Sequence, residues 1–373
     1  MVYPITVKTG RRHFMPPVMG ATAFIMAEFT GIPYSQICVY AALPAILYYV
    51  CLFFQVDLIA RRDRMIPDRT ISLPSGKEIM KQSLPFVLPL IVLIWLLIVL
   101  RFPVESSVSA TIIAMLLCTQ FQKKTRFSGH DWVDMGVGVG KIMCQVGIAC
   151  AAANLIIASV FLTGMGQRIT MAATALAGGS TLTLLLITAI GCYILGMGSG
   201  ALVLYITVAL LIIPVLVKGG ILLIAAHLFA FMMACTAFIT PPVALNCFAA
   251  APIAQASPNR IGWESMKLGI IIYIIPFVFC YRPALLTIGS PLEIGVAILT
   301  TTAGSFAIAS TLAGYLLRKL NWLERGMLAI VALALFVPNW QLNIIGGCAG
   351  IVLAVWLRKS RQPHILPNDS LQP

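Results

Sequence analysis

Two pairs of adjacent prolines, Pro16 and Pro17 in FMPPVMGATAF and Pro241 and Pro242 in AFITPPVALNCF, sit inside apolar runs that otherwise read as membrane helices. Proline has no backbone N–H and its ring clashes with the preceding turn, so each pair leaves carbonyls without donors and breaks the helix. Non-helical backbone at membrane depth persists only where protein buries it or where it lines a hydrated cavity. Its freed carbonyls and helix ends are then ligands for a cation or for an anionic solute. Thr240, just before the second pair, adds a hydroxyl; the competing reading is a threonine satisfied by a carbonyl of its own helix. A Gly-rich stretch, GMGSG at 196–200, separates two short apolar arms and carries one hydroxyl, Ser199. There the competing reading is a small residue placed for close packing. One Pro-Pro pair alone is a weak signal that a mere kink also accommodates, whereas two pairs beside a hairpin point to a site.

The elements that position these residues follow from composition. Of 373 residues, 60% are hydrophobic and 10% charged, and the mean hydropathy is +0.97; a soluble domain carries roughly 25% charged residues. The chain therefore reads as an all-α polytopic membrane protein. Its net charge of +13 comes from Lys and Arg in short loops without interleaved aromatics, which excludes a nucleic-acid partner and fits the positive-inside bias. Ten cysteines are scattered without a CxxC pair or zinc spacing and read as small apolar fillers.

Apolar runs predict spans at about 34–54, 84–100, 108–121, 142–162, 261–279 and 294–317, with shorter ones at 326–338 and 342–357. The basic loops after Gln55 and after Phe121, with RKLNWLER from Arg318 and RKSR from Arg358, belong on the cytoplasmic side, while the Arg101 to Glu105 connection is external. GHDWVDMGVGVGK from Gly129 is too polar to span and reads as a short amphipathic helix along the cytoplasmic surface, the competing reading being a plain solvated linker. Segment 177–218 reads as a hairpin entering from outside and turning at Gly196 to Gly200; segment 221–256 reads as a helix broken at Thr240, Pro241 and Pro242. The Phe14 segment runs in the opposite sense, so the two breaks are antiparallel, as in inverted-repeat transporters. His227 reads as a structural hydrogen-bond partner before a proton carrier, and Glu28, near the TGIP turn, as an interfacial carboxylate. An intramembrane enzyme requires an HExxH, paired Asp residues or a Ser with a buried base; the spans offer none.

The stretches MPPVMGATAFIMAEFTGIPYSQI, ILGMGSGALVLYI, AAHLFAFMMACTAFITPPVALNCFAAAPIA and IGWESMKLGIIIYIIPFVFCYRPALL, with the tail SPLEIG and NWLERG, resemble the large membrane (DctM-like) subunit of tripartite ATP-independent periplasmic (TRAP) transporters. The likeness is closest to the fused permeases that serve TAXI-type binding proteins. It implies an elevator-type inverted-repeat fold in the bacterial inner membrane, with a re-entrant hairpin and two broken helices. It also implies symport of sodium, the coupling ion, with an organic acid such as a C4-dicarboxylate delivered by a periplasmic solute-binding protein, without ATP. By the same resemblance the second sodium site falls on Gly196, Gly198, Ser199, Thr240, Pro241 and Pro242, and the first broken-helix loop on Met15, Pro16 and Pro17.

Two departures stand out. The family's tip usually reads GMGLPTTAAY, whereas this chain reads GMGSGALVLY and lacks the proline and both threonines. The first repeat is also expected to be incomplete: an upstream hairpin with a Ser-Gly-Ser type tip has no counterpart here, which implies a separately encoded N-terminal permease portion or small membrane subunit, or a truncated fragment without independent transport. The expected organisation is a remnant of the first transport repeat at 1–56, scaffold spans with the surface helix at 57–141, a second transport repeat at 142–290, and C-terminal spans at 291–373.

Overall fold

The structure, a computed structural model, describes residues 21–65, 87–100, 102–121, 128–196, 201–241 and 244–359. Among these it contains helices and one isolated bridge, between Tyr315 and Lys319, and no strand. A chain this apolar must satisfy its backbone internally, and the helix does so within one segment. Four helices are long and apolar enough to cross a membrane: Tyr34–Arg62, Pro258–Tyr281, Pro291–Ala313 and Trp340–Lys359. The expectation of an all-α polytopic membrane protein holds.

Internal contacts divide the chain into two compact units. The first comprises Met1–Ile46, Pro67–Met266 and Ile272–Ile288. Its helices are α1 (Ala21–Thr30), the first part of α2 (Tyr34–Arg62), and α3, which runs from 87 and ends in a π turn at Trp95–Val99. They continue with α4 (Val104–Phe121), α5 (Gly129–Thr163), α6 (Met165–Ala177), α7 (Thr181–Gly196), α8 (Ala201–Leu211), α9 (Ile213–Lys218), α10 (Leu223–Thr236), α11 (Leu245–Ala254), α12 (Pro258–Leu268) and α13 (Ile271–Tyr281). At the centre lies α10, buried on every side from Ile224 to Thr236, as a helix apolar all round must be. It packs against α1, α7, α8 and α9. Tyr205 of α8, fully buried, anchors this core: its ring stacks with Phe29 and meets Phe231 edge to face.

The second unit comprises Leu47–Ile66, Lys267–Ile271 and Gly289–Pro373. Its helices are the remainder of α2, then α14 (Pro291–Ala313), α15 (Trp322–Phe336) and α16 (Trp340–Lys359). Local sequence sets the limits of α14. Ser290 accepts from the Glu293 N–H, Glu293 reaches back to the Ser290 N–H, Pro291 opens the first turn, and Gly314 closes the helix at φ 65°. Within the unit, Phe336 of α15 lies so close to Gly304 that a Cβ there would stand 2.9 Å from its ring. Gln55 donates to the Leu268 carbonyl at 3.2 Å, and Cys51 to that of Ser305 at 3.5 Å.

One expectation changes at this level. The stretch from Gly129 to Lys141 is not a separate surface helix; α5 runs unbroken over 35 residues to Thr163. Its glycines lower helix propensity but supply no proline or cap to end the helix. The span expected at 261–279 falls within Pro258–Tyr281, long and apolar enough to cross, which a turn at Gly269 and Ile270 divides into α12 and α13. Helices also cover the other expected spans in whole or in large part among the described residues, and of these Tyr34–Arg62, Pro291–Ala313 and Trp340–Lys359 are long and apolar enough to cross.

Candidate functional site

The break between α10 and α11 is where main chain leaves the helix inside the buried core of the first unit. Its cause is local. Pro241 and Pro242 cannot supply the N–H groups that the carbonyls of Ala237 and Phe238 would receive in a continuous helix. The residue before a proline is also pushed out of the helical region. The helix unwinds earlier than the prolines themselves: after Thr236 it tightens into i→i+3 bonds, from Ala237 to Ala234, Phe238 to Cys235 and Ile239 to Thr236. The Phe238 carbonyl is recovered from beyond the prolines, by the Asn246 N–H at 3.1 Å. Ala244 then starts α11 from a left-handed conformation, φ 33°, a strained setting for a residue with a side chain.

Tertiary contacts complete the loop. Thr240, buried, donates its hydroxyl to the Thr236 carbonyl at 2.6 Å, the back-bonded arrangement weighed from the sequence. With that proton committed, the Tyr273 hydroxyl of α13, 2.6 Å away, donates to Thr240 Oγ1. From α7, Tyr193 donates its hydroxyl to the Pro241 carbonyl at 2.5 Å. On another side the Pro241 ring rests on Gly262 of α12, where an added Cβ would lie 2.7 Å from Pro241 Cγ. Cys247 of α11 faces Ser265 of α12, Sγ to Oγ 3.8 Å. The break is thus a loop of main-chain and hydroxyl oxygens without a formal charge, gripped from α7, α12 and α13. Such neutral oxygens are ligands for a hard monovalent cation.

Of the residues expected at the site, Thr240 and Pro241 are together in this loop, and Gly196 ends α7. Gly198, Ser199 and Pro242, and the first-loop residues Met15, Pro16 and Pro17, lie outside the described residues. Helices α7 and α8 flank the Gly-rich tip and pack on each other and on α10. His227 is buried, with Nδ1 2.7 Å from the Tyr205 hydroxyl, a structural hydrogen bond in the core. Glu28 is exposed on α1, a turn before Gly31. Sequence reasoning missed Tyr193, Tyr273 and Gly262. The first two read as ordinary aromatics of apolar helices, since only a folded chain brings three distant segments onto one loop. A separate cavity of about 800 Å³ opens beside the Gly31 turn, lined by Tyr34, Gln36, Tyr40, Phe102 and Thr287, and shares no residue with the break.

Comparison with known proteins gives one result. The family model described as "Tripartite ATP-independent periplasmic transporter, DctM component" matches residues 12–294, most of the chain, both proline pairs included. No curated protein and no solved structure matches.

Proposed function

The chain belongs to the DctM component family of tripartite ATP-independent periplasmic transporters, and from that premise we propose that it is the permease of a sodium-coupled symporter for organic acids. The substrate is a C4-dicarboxylate or another carboxylate handed over by a TAXI-type periplasmic binding protein, and the membrane is the bacterial inner membrane. One observation carries the reading: the chain is unwound after Thr236, with Ala237, Thr240 and Ala244 buried, and it is held by hydroxyls from Tyr193 and Tyr273. Main chain kept in this form offers carbonyl lone pairs that a helix would have consumed. Sodium would be held by the Pro241 carbonyl and Thr240 Oγ1 together with the tip at Gly196, Gly198 and Ser199. Thr240 suits the role because its proton is already directed at Thr236, which leaves Oγ1 to act as an acceptor. No residue of the loop from Ala237 to Ala244 carries a charge, so binding and release of a monovalent ion leave no buried carboxylate uncompensated.

The test is the melting temperature of the purified full chain in sodium chloride against choline chloride at equal ionic strength. A ligand that binds only the folded form raises stability by mass action. Wild type and Thr240→Ser melt higher in sodium; Thr240→Val melts equally in both salts. Equal melting of the wild type in the two salts, across the sodium range in which symporters saturate, refutes the site. Sodium-dependent stabilisation without binding-protein-dependent uptake into proteoliposomes refutes the transport reading while leaving the ion site standing.

A further inference from the structure

The two ends of the second unit differ in charge. At one end, the start of α14, the close of α15 and the start of α16 carry Glu293 and no lysine or arginine among residues 287–296 and 333–345. At the other end gather the last turn of α2, the loop 314–321, the first turn of α15 and the last turn of α16. The loop is pinned there. Leu320 donates to the Gly314 carbonyl at 2.9 Å, and the Arg318 guanidinium makes a two-pronged pair with the buried Glu324 while lying 5.8 Å over the Trp356 ring. That contact sets the loop against the end of α16.

Among the described residues, the carboxylates at this end are already engaged. Asp57 is held by Arg61, Asp63 by Arg62 and Glu324 by Arg318. The last carbonyls of α14 are engaged as well: Arg62 donates to Ala313 at 3.0 Å and Arg325 to Thr311 at 2.8 Å. Lys319, whose charge also acts on Asp63, and Arg358 and Lys359 are exposed around this end, where described cations outnumber described carboxylates. Next to them the face of α16 is apolar and uncovered: Val352 is 67% exposed, Val355 51% and Trp356 50%. Exposed aliphatic surface ending in a tryptophan and then in cations is the order of chemistry met on passing from acyl chains to headgroups.

We propose that this end of the second unit binds an acidic phospholipid, its phosphate received by Lys319, Arg358 and Lys359 and its acyl chains laid along Val352, Val355 and Trp356 of α16. A soluble anion would gain only the charge; the adjoining apolar face adds a preference for an anion that carries hydrocarbon. The positive-inside bias puts the site on the cytoplasmic leaflet, where acidic lipids attract basic clusters. The proposal is independent of the ion site in the first unit.

The experiment uses the purified full chain in mixed micelles titrated with phosphatidylglycerol or with phosphatidylcholine, read by melting temperature and by the lipid-bound fraction in native mass spectrometry. Wild type is stabilised by phosphatidylglycerol more than by phosphatidylcholine and retains the acidic lipid in the gas phase. The variant K319Q/R358Q/K359Q, altered only at exposed positions, loses that preference, with phosphatidylglycerol affinity falling about fivefold per cation removed. The control K141Q/K218Q, which removes exposed lysines of the first unit, keeps it. Equal responses to the two lipids, an undiminished response in the triple variant, or the same stabilisation from inorganic phosphate without lipid would each overturn the proposal.

Discussion

Helix α14 and the break after α10 meet the same problem, backbone groups left without partners where a helix ends, by opposite means. In α14 the answer is written within a few residues: Ser290 and Glu293 cap each other's N–H groups at one end, and Gly314 turns out of the helix at the other. At the break, neighbouring residues recover only part of what the prolines remove. Further bonds on the loop come from Tyr193, 48 positions away, to the Pro241 carbonyl, and from Tyr273, 33 positions away, to the Thr240 hydroxyl. A structural helix end can be self-sufficient and closed. A loop held from outside keeps its oxygens arranged without covering them all, which is what a binding site requires.

The contrast can be broken experimentally, and the largest effect is expected where the loop is most tightly gripped. Gly262→Ala drives a methyl against the Pro241 ring; overpacking of this kind costs about 1–3 kcal/mol, and the loss should appear in thermal unfolding together with a weakened sodium response. If Gly262→Ala instead unfolds like wild type, the loop is looser than its contacts indicate. Tyr193→Phe and Tyr273→Phe each remove one hydroxyl donor from the loop, at about 1 kcal/mol apiece. The sodium-dependent part of stability should fall by more than the sodium-free part, which a merely structural pair of bonds would not produce.

Ser290→Ala sharpens the other side of the comparison. Loss of an N-cap costs about 1 kcal/mol and should lower stability equally in sodium and in choline. The smallest effect belongs to Asp63, exposed at the end of α2, whose carboxyl is held below its usual range first by the Arg62 hydrogen bond and, with desolvation opposing, also by the charges of Arg62 and Lys319. A depressed carboxylate contributes stability at pH above its unfolded pKa, near 4, and loses it as pH falls through the lower folded value. Melting curves of wild type and Asp63→Asn should therefore converge below about pH 4, with only a slight separation near neutrality because exposed pairs contribute little. Divergence on acidification would contradict the assignment.

Much of the architecture was legible from residue types. Spans followed hydropathy, the hairpin arms followed the Gly-rich interruption, and the position of the break followed Pro241 and Pro242. Thr240 was legible as a candidate, though whether its hydroxyl bonds to its own helix required coordinates. Continuity was harder to read. The polar, glycine-bearing start of α5 resembled a surface segment because composition reports the environment of side chains and not whether the backbone hydrogen bonds continue. The interruption between α12 and α13 was hidden for the converse reason, since Gly269 and Ile270 leave hydropathy almost unchanged.

The sequence by itself determined that this chain is a bundle of apolar helices with charged ends and that α10 cannot continue past Thr240, because proline geometry acts within a few residues whatever the surroundings. Tertiary structure alone decided that Tyr193, Gly262 and Tyr273 close on the resulting loop, and that Arg318 joins Glu324 and Trp356. Partnerships between distant segments depend on which helix faces meet, and no local rule of backbone or side chain encodes that choice.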